Sequence, residues 1–173
     1  TNSMPTAAEL LGSRRRVLVT GGAGFIGGAV VRRLLRESEA VIFNLDKMGY
    51  ASDLTSIEEV LSGLGGEADH RHVLQKLDLA DADAVREAVR IADPDLVMHL
   101  AAESHVDRSI AGPGVFIESN VTGTYNLLQA VREHFDGLEG ERREDFRLHH
   151  ISTDEVFGPL GADGRFTETT PYD

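Results

Sequence analysis

Apolar residues along this chain fall in short continuous runs separated by stretches where they recur every third or fourth position. The runs are residues 15–20, Val41-Ile42-Phe43-Asn44-Leu45, residues 72–77, Leu96-Val97-Met98-His99-Leu100 and residues 146–151. Runs of that length without alternation belong to strands buried on both faces. Between the first two, Val30, Val31, Leu34 and Leu35 recur at helical spacing and predict a helix over 24–37. A short helix is expected over 53–61 and a loop over 62–66. Val85, Ala88, Val89 and Ile91 predict a helix over 81–91, broken by Asp93-Pro94. A long helix is predicted over 115–134 and a charged loop over 137–145. Strict alternation of strand and helix implies an α/β, Rossmann-type, doubly wound parallel sheet, and right-handed crossovers set the strand order 3-2-1-4-5. Residues 1–13 read as a flexible lead or tag, with a short helix over 5–13 as the other reading. Residues 14–173 form one domain.

Composition narrows the partners more than it alters this outline. Seventeen Lys and Arg against 29 Asp and Glu give a net charge of -12 over 173 residues, which argues against a nucleic acid held through its phosphates. The Arg14-Arg15-Arg16 cluster reads as a charged lead-in to the first strand. There is no cysteine, so thiolate metal sites and thiol nucleophiles are excluded. No apolar stretch approaches the roughly 18 residues of a membrane helix, and a cytoplasmic protein without a membrane partner is the expectation. No metal site is expected. His99 lies inside an apolar run and reads as a hydrogen-bonded core histidine, and His70, His72, His149 and His150 lack metal-ligand spacing.

The candidate chemistry begins where the first strand ends, at Gly21-Gly22-Ala23-Gly24-Phe25-Ile26-Gly27. Glycines there allow a tight turn, close approach of amide N–H groups to a pyrophosphate, and close packing of helix on sheet. Asp46 ends the second strand 19 residues after Gly27, near the spacing of a ribose-binding acid, which favours NAD over NADP. Ligands of such sheets bind beyond the carboxyl ends of the strands. That crevice would gather the glycine loop, Asp46, Asp78-Leu79, residues 101–107 and Thr153-Asp154-Glu155. Asp78 reads equally as a helix cap or an adenine contact, and His105 with Asp107 as a loop pair or a substrate contact. Asp154 and Glu155 are adjacent carboxyl groups at a strand end, where different environments can make one an acid and the other a base.

With these residues in place, the chain resembles the nucleotide-sugar 4,6-dehydratases of the extended short-chain dehydrogenase/reductase superfamily. The likeness rests on the glycine loop, Asp46-Lys47, residues 99–109, Asn120-Val121-Thr122-Gly123-Thr124 and Ser152-Thr153-Asp154-Glu155-Val156. The resemblance implies NAD along Gly21, Gly24, Phe25, Ile26, Gly27, Asp46, Lys47, Met48, Gly49, Asp78, Leu79, Leu100, Ala101, Ala102, Glu103 and Ser119. Ser104 and Thr153 would touch the sugar nucleotide, with dTDP-glucose favoured over UDP-glucose or another sugar nucleotide. It further implies C4 oxidation of the sugar, loss of water across C5 and C6 with Glu155 as base and Asp154 as acid, return of hydride to C6, and a homodimer packed through the 115–134 helix. Two departures accompany it. The family's Tyr-x-x-x-Lys does not occur in these 173 residues, since Tyr125 is followed four residues later by Gln129, and the sugar-nucleotide domain is expected to be missing from a chain either cut short or only partly represented. The sheet is therefore expected to be incomplete at its C-terminal end, and turnover by this chain alone is not expected. A non-catalytic NAD-binding module is the reading from another class.

Overall fold

The computed structural model describes residues 3–102, 113–159, 161 and 164–172. Five parallel strands form one sheet: β1 (Arg16–Thr20), β2 (Val41–Asp46), β3 (His72–Lys76), β4 (Leu96–His99) and β5 (Arg147–His150), in the order β3-β2-β1-β4-β5. That is the 3-2-1-4-5 order expected from the sequence.

Successive strand residues point to opposite faces, and the core divides accordingly. Leu18, Phe43, Leu45 and Val97 face α4 (Ala82–Ala92), through Val85 and Val89, and a later helix through Leu127 and Val131. Val17, Val19 and Ile42 face the other way, onto Val31, Leu34 and Leu35 of α2 (Phe25–Glu37) and Ile57 and Val60 of α3 (Thr55–Leu64). At about 1.5–3 kcal/mol for each fully buried aliphatic side chain, these two clusters explain why central strands carry no polar alternation.

The lead before Arg14 includes α1 (Ala7–Leu11). Thr6 and Glu9 form a reciprocal capping box, and Ala7 and Leu11 are buried in the same layer as α2. The Ala7 N–H donates to Glu37 Oε2 at 2.9 Å. After α3 a 3-10 segment, Gly66–Arg71, delivers a buried guanidinium that donates to the carbonyls of Leu35, Ser38 and Ala40, closing the C-terminal end of α2.

Helix α3 runs through Leu64 into the stretch 62–66 expected to be a loop, and two later segments differ more. The long helix is composite: α5 (Pro113–Phe116), a π-helical stretch Ile117–Thr122, and α6 (Gly123–Asp136). The stretch expected to be a charged loop contains α7 (Gly140–Asp145). It is polar all round, so no apolar period marks it; Arg142 fastens it by ion pairs to Asp93 at 3.1 Å and Asp95 at 3.0 Å. Strand β5 pairs only with β4 among the described strands, and its four residues are exposed.

Candidate functional site

Beyond the carboxyl ends of the strands lies an open cleft of about 550 Å³. Its floor is the turn between β1 and α2. Gly21 has φ +74°, and a Cβ there would stand 2.8 Å from the Ala101 backbone, while a Cβ on Gly27 would run into the Gly21 carbonyl. Only bare glycine lets these three chain segments approach one another. Helix α2 begins at Phe25 with Gly24 as N-cap; no side chain caps it and no acid occupies its first turn. Its first amide N–H groups and the positive end of its dipole are directed to this end of the sheet, a ready place for an anion. Phe25 is 95 % exposed at the rim.

Asp46 ends β2 and is 7 % exposed. Its Oδ2 accepts the Ala23 N–H at 3.1 Å, and its Oδ1 accepts the Met48 N–H at 2.7 Å and the Ser52 hydroxyl at 2.9 Å. One carboxylate thus joins the glycine loop to the loop after β2. Met48, with φ +58°, shapes that loop through its backbone and does not line the cleft. After β3, Asp78 faces the cleft while its Oδ1 accepts the Ala80 N–H at 3.0 Å. It closes a turn, and Asp81 is the cap of α4.

At the end of β4 a buried polar chain fixes Leu100 and Ala101. Thr20 Oγ1 accepts their N–H groups at 3.2 and 3.1 Å and lies 2.6 Å from His99 Nδ1. A hydroxyl with both lone pairs engaged has its one hydrogen left to give, so it donates to Nδ1. His99 Nε2–H then donates to Thr124 Oγ1 at 2.9 Å. Burial, and secondarily the His150 ring stacked 5.2 Å away, push the His99 pKa down to about 4, keeping the ring neutral. His99 is the hydrogen-bonded core histidine its apolar strand implied.

Every described residue expected along a dinucleotide lines the cleft except Met48. Glu103, Ser104, His105 and Asp107 lie outside the described residues. Sequence reasoning missed Leu45, Tyr50, Ala51, Ser52, Leu77, Ile151 and Ser152. Ser52 is a loop residue that no periodicity flags. Ile151 and Ser152 adjoin Thr153-Asp154-Glu155, which are exposed and do not themselves line the cleft. Thr153 caps the 3-10 segment Asp154–Phe157; its Oγ1 accepts the Glu155 N–H at 3.3 Å and lies 3.4 Å from Asp154 Oδ1. Among the described residues no group of three or more His, Cys, Asp or Glu is placed to hold a metal ion, and no helix is long and apolar enough to cross a membrane.

A family model described as GDP-mannose 4,6 dehydratase matches residues 18–173. The chain belongs to this dehydratase family. Among curated members, dTDP-glucose 4,6-dehydratase of Neisseria meningitidis serogroup B is 49 % identical over 160 residues, covering 91 % of this chain and 43 % of that protein. The enzyme of the same name from Xanthomonas campestris pv. campestris is 50 % identical over 155 residues, covering 90 % and 42 %. The chain therefore spans less than half the length of the curated relatives it matches. Of solved structures, dTDP-glucose 4,6-dehydratase from Bacillus anthracis in complex with NAD superposes with a TM-score of 0.71 at 31 % identity, covering 92 % of this chain and 44 % of that one. UDP-glucose 4-epimerase from Thermus thermophilus with NAD gives 0.69 at 32 % identity, covering 91 % and 44 %. Dehydratase-family and epimerase structures thus share this fold.

Proposed function

We propose that this chain is the NAD-binding part of a dTDP-glucose 4,6-dehydratase. The observation that carries the reading is the convergence, at one end of the sheet, of an uncapped helix N-terminus, the Asp46 loop and the segment leading into Thr153-Asp154-Glu155. The residues present fit NAD. The α2 amides and the glycine cradle would take the pyrophosphate, and Asp46 would take the adenosine ribose, its carboxylate repelling a 2′-phosphate. Bound NAD supplies a reversible hydride acceptor for the sugar. Thr153, an uncharged donor, would orient the sugar near O4. Glu155 would take the C5 proton made acidic by a neighbouring 4-ketone, and Asp154 would protonate the departing C6 hydroxyl. Adjacent positions on one 3-10 turn give these carboxyl groups different directions, as one acid and one base acting on neighbouring carbons require. The similarity to dTDP-glucose 4,6-dehydratases supports dTDP-glucose as the substrate.

A homodimer belongs to the same proposal. Ile117, Val121, Tyr125 and Leu128 are exposed along one side of the π segment and α6, while Leu127 and Val131 on the other side are in the core. A helix with apolar side chains on both faces has a second surface to cover.

The test is Glu155→Gln in the protein that contains this chain. NAD affinity should be retained and water loss from dTDP-glucose abolished, with UDP-glucose assayed alongside. Unchanged turnover would sink the role given to Glu155. NAD binding without turnover of any sugar nucleotide by the unaltered protein would favour a non-catalytic NAD-binding module.

A further inference from the structure

Helix α6 does more to the cleft than close the core behind it. Asn126, 9 % exposed, points its Nδ2 amide at two consecutive carbonyls of the turn after β3, donating to Leu79 O at 2.8 Å and Ala80 O at 3.2 Å. One turn earlier on the helix, Gly123 is buried and so close that a Cβ there would stand 2.9 Å from Leu79 Cβ. The turn thus gripped is itself closed from within, by the Asp81 N–H on Asp78 O and the Ala80 N–H on Asp78 Oδ1, each at 3.0 Å. Its residues Asp78 and Leu79 form the β3 side of the cleft. That side adjoins β2 and Asp46, so it is the side that would hold the adenosine end of a dinucleotide.

We infer that Asn126 is a positioning residue for the adenosine half of the cleft, with Gly123 permitting the approach that lets it act. The inference rests on the NAD reading above. Asn126 does not line the cleft; it fixes the height of the Asp78-Leu79 wall through backbone carbonyls. Without its two donors those carbonyls are left against a buried helix face, and the turn moves to find other partners.

The two halves of the dinucleotide provide the test. AMP and nicotinamide mononucleotide are titrated separately into the protein by NMR. Asn126→Ala should weaken AMP roughly tenfold, the scale of one buried hydrogen-bond pair, and leave the mononucleotide unchanged. A merely structural role would lower both together. Gly123→Ala supplies the second variant, and carries the test if Asn126→Ala does not fold. Alanine is the better helix former, yet its methyl displaces Leu79, so AMP should weaken several-fold in a chain that still folds. Unchanged AMP affinity in both variants, or equal weakening of both ligands, overturns the inference. Failure of the unaltered protein to bind either AMP or NAD would instead overturn the cofactor reading beneath it.

Discussion

Acid should destabilise this protein through His99 by an amount that can be isolated. The folded ring titrates at about 4 against 6.5 for an unperturbed histidine. Between those values the unfolded chain binds a proton at His99 that the folded chain refuses. Stability is therefore present in full above pH 6.5 and is lost as pH falls toward 4. One pH unit is worth 1.36 kcal/mol, so the loss is about 1.4 kcal/mol by pH 5.5 and about 3 kcal/mol by pH 4. The first of these is the useful figure, because pH 5.5 stays above the isoelectric point near 4.9, where the chain keeps its negative charge. The comparison is His99→Asn, which can still accept from Thr20 but does not titrate. Urea unfolding of both proteins at pH 7.5 and 5.5 gives a difference of differences, in which His72 and the carboxylates cancel. The unaltered protein should lose about 1.4 kcal/mol more than the variant. Equal losses would mean that His99 takes up a proton in the fold as it does in the unfolded chain, refuting its neutral state at pH 5.5.

Three further outcomes follow from the packing. Gly27→Ala places a methyl against the Gly21 carbonyl and should cost about 1–3 kcal/mol and abolish detectable NAD binding, measured by chemical denaturation and calorimetric titration. Arg71→Met removes the donors to three carbonyls at the end of α2 and should lower stability by about 2–3 kcal/mol in the same denaturation assay, leaving NAD affinity within about twofold because the change is at the far end of the helix. Val121→Glu with Leu128→Glu charges the exposed side of α6; light scattering should show a dimer for the unaltered protein and a monomer for this variant, without loss of helix by circular dichroism.

The parts of the fold that bury apolar surface were legible in the sequence, because burial writes a period. The runs at Val17-Leu18-Val19 and Val41-Ile42-Phe43 are the sheet centre, and the glycine loop with Asp46 lies on one cleft as its spacing required. What the sequence concealed has no period to display. Helix α7 is polar on all sides and held by Arg142. The π segment changes hydrogen-bond register without changing composition. Ser52 joins the site only because its loop folds back onto Asp46. Leu127 and Leu128 are neighbours in sequence about a quarter-turn apart on α6, one in the core and one partly in solvent, which only the three-dimensional placement of the helix decides.

Asp46 carries a consequence for redesign. Changing a ribose-reading acid to a small residue is the obvious route to admitting a 2′-phosphate. Here the same carboxylate accepts from Ala23, Met48 and Ser52, so the residue that would discriminate between cofactors is also the knot between two loops. Substituting it alone would trade selectivity for a slack glycine loop. A successful exchange of cofactor preference in this chain would have to arrive as a pair of changes, one that removes the charge and one that gives the Ala23 amide a new acceptor.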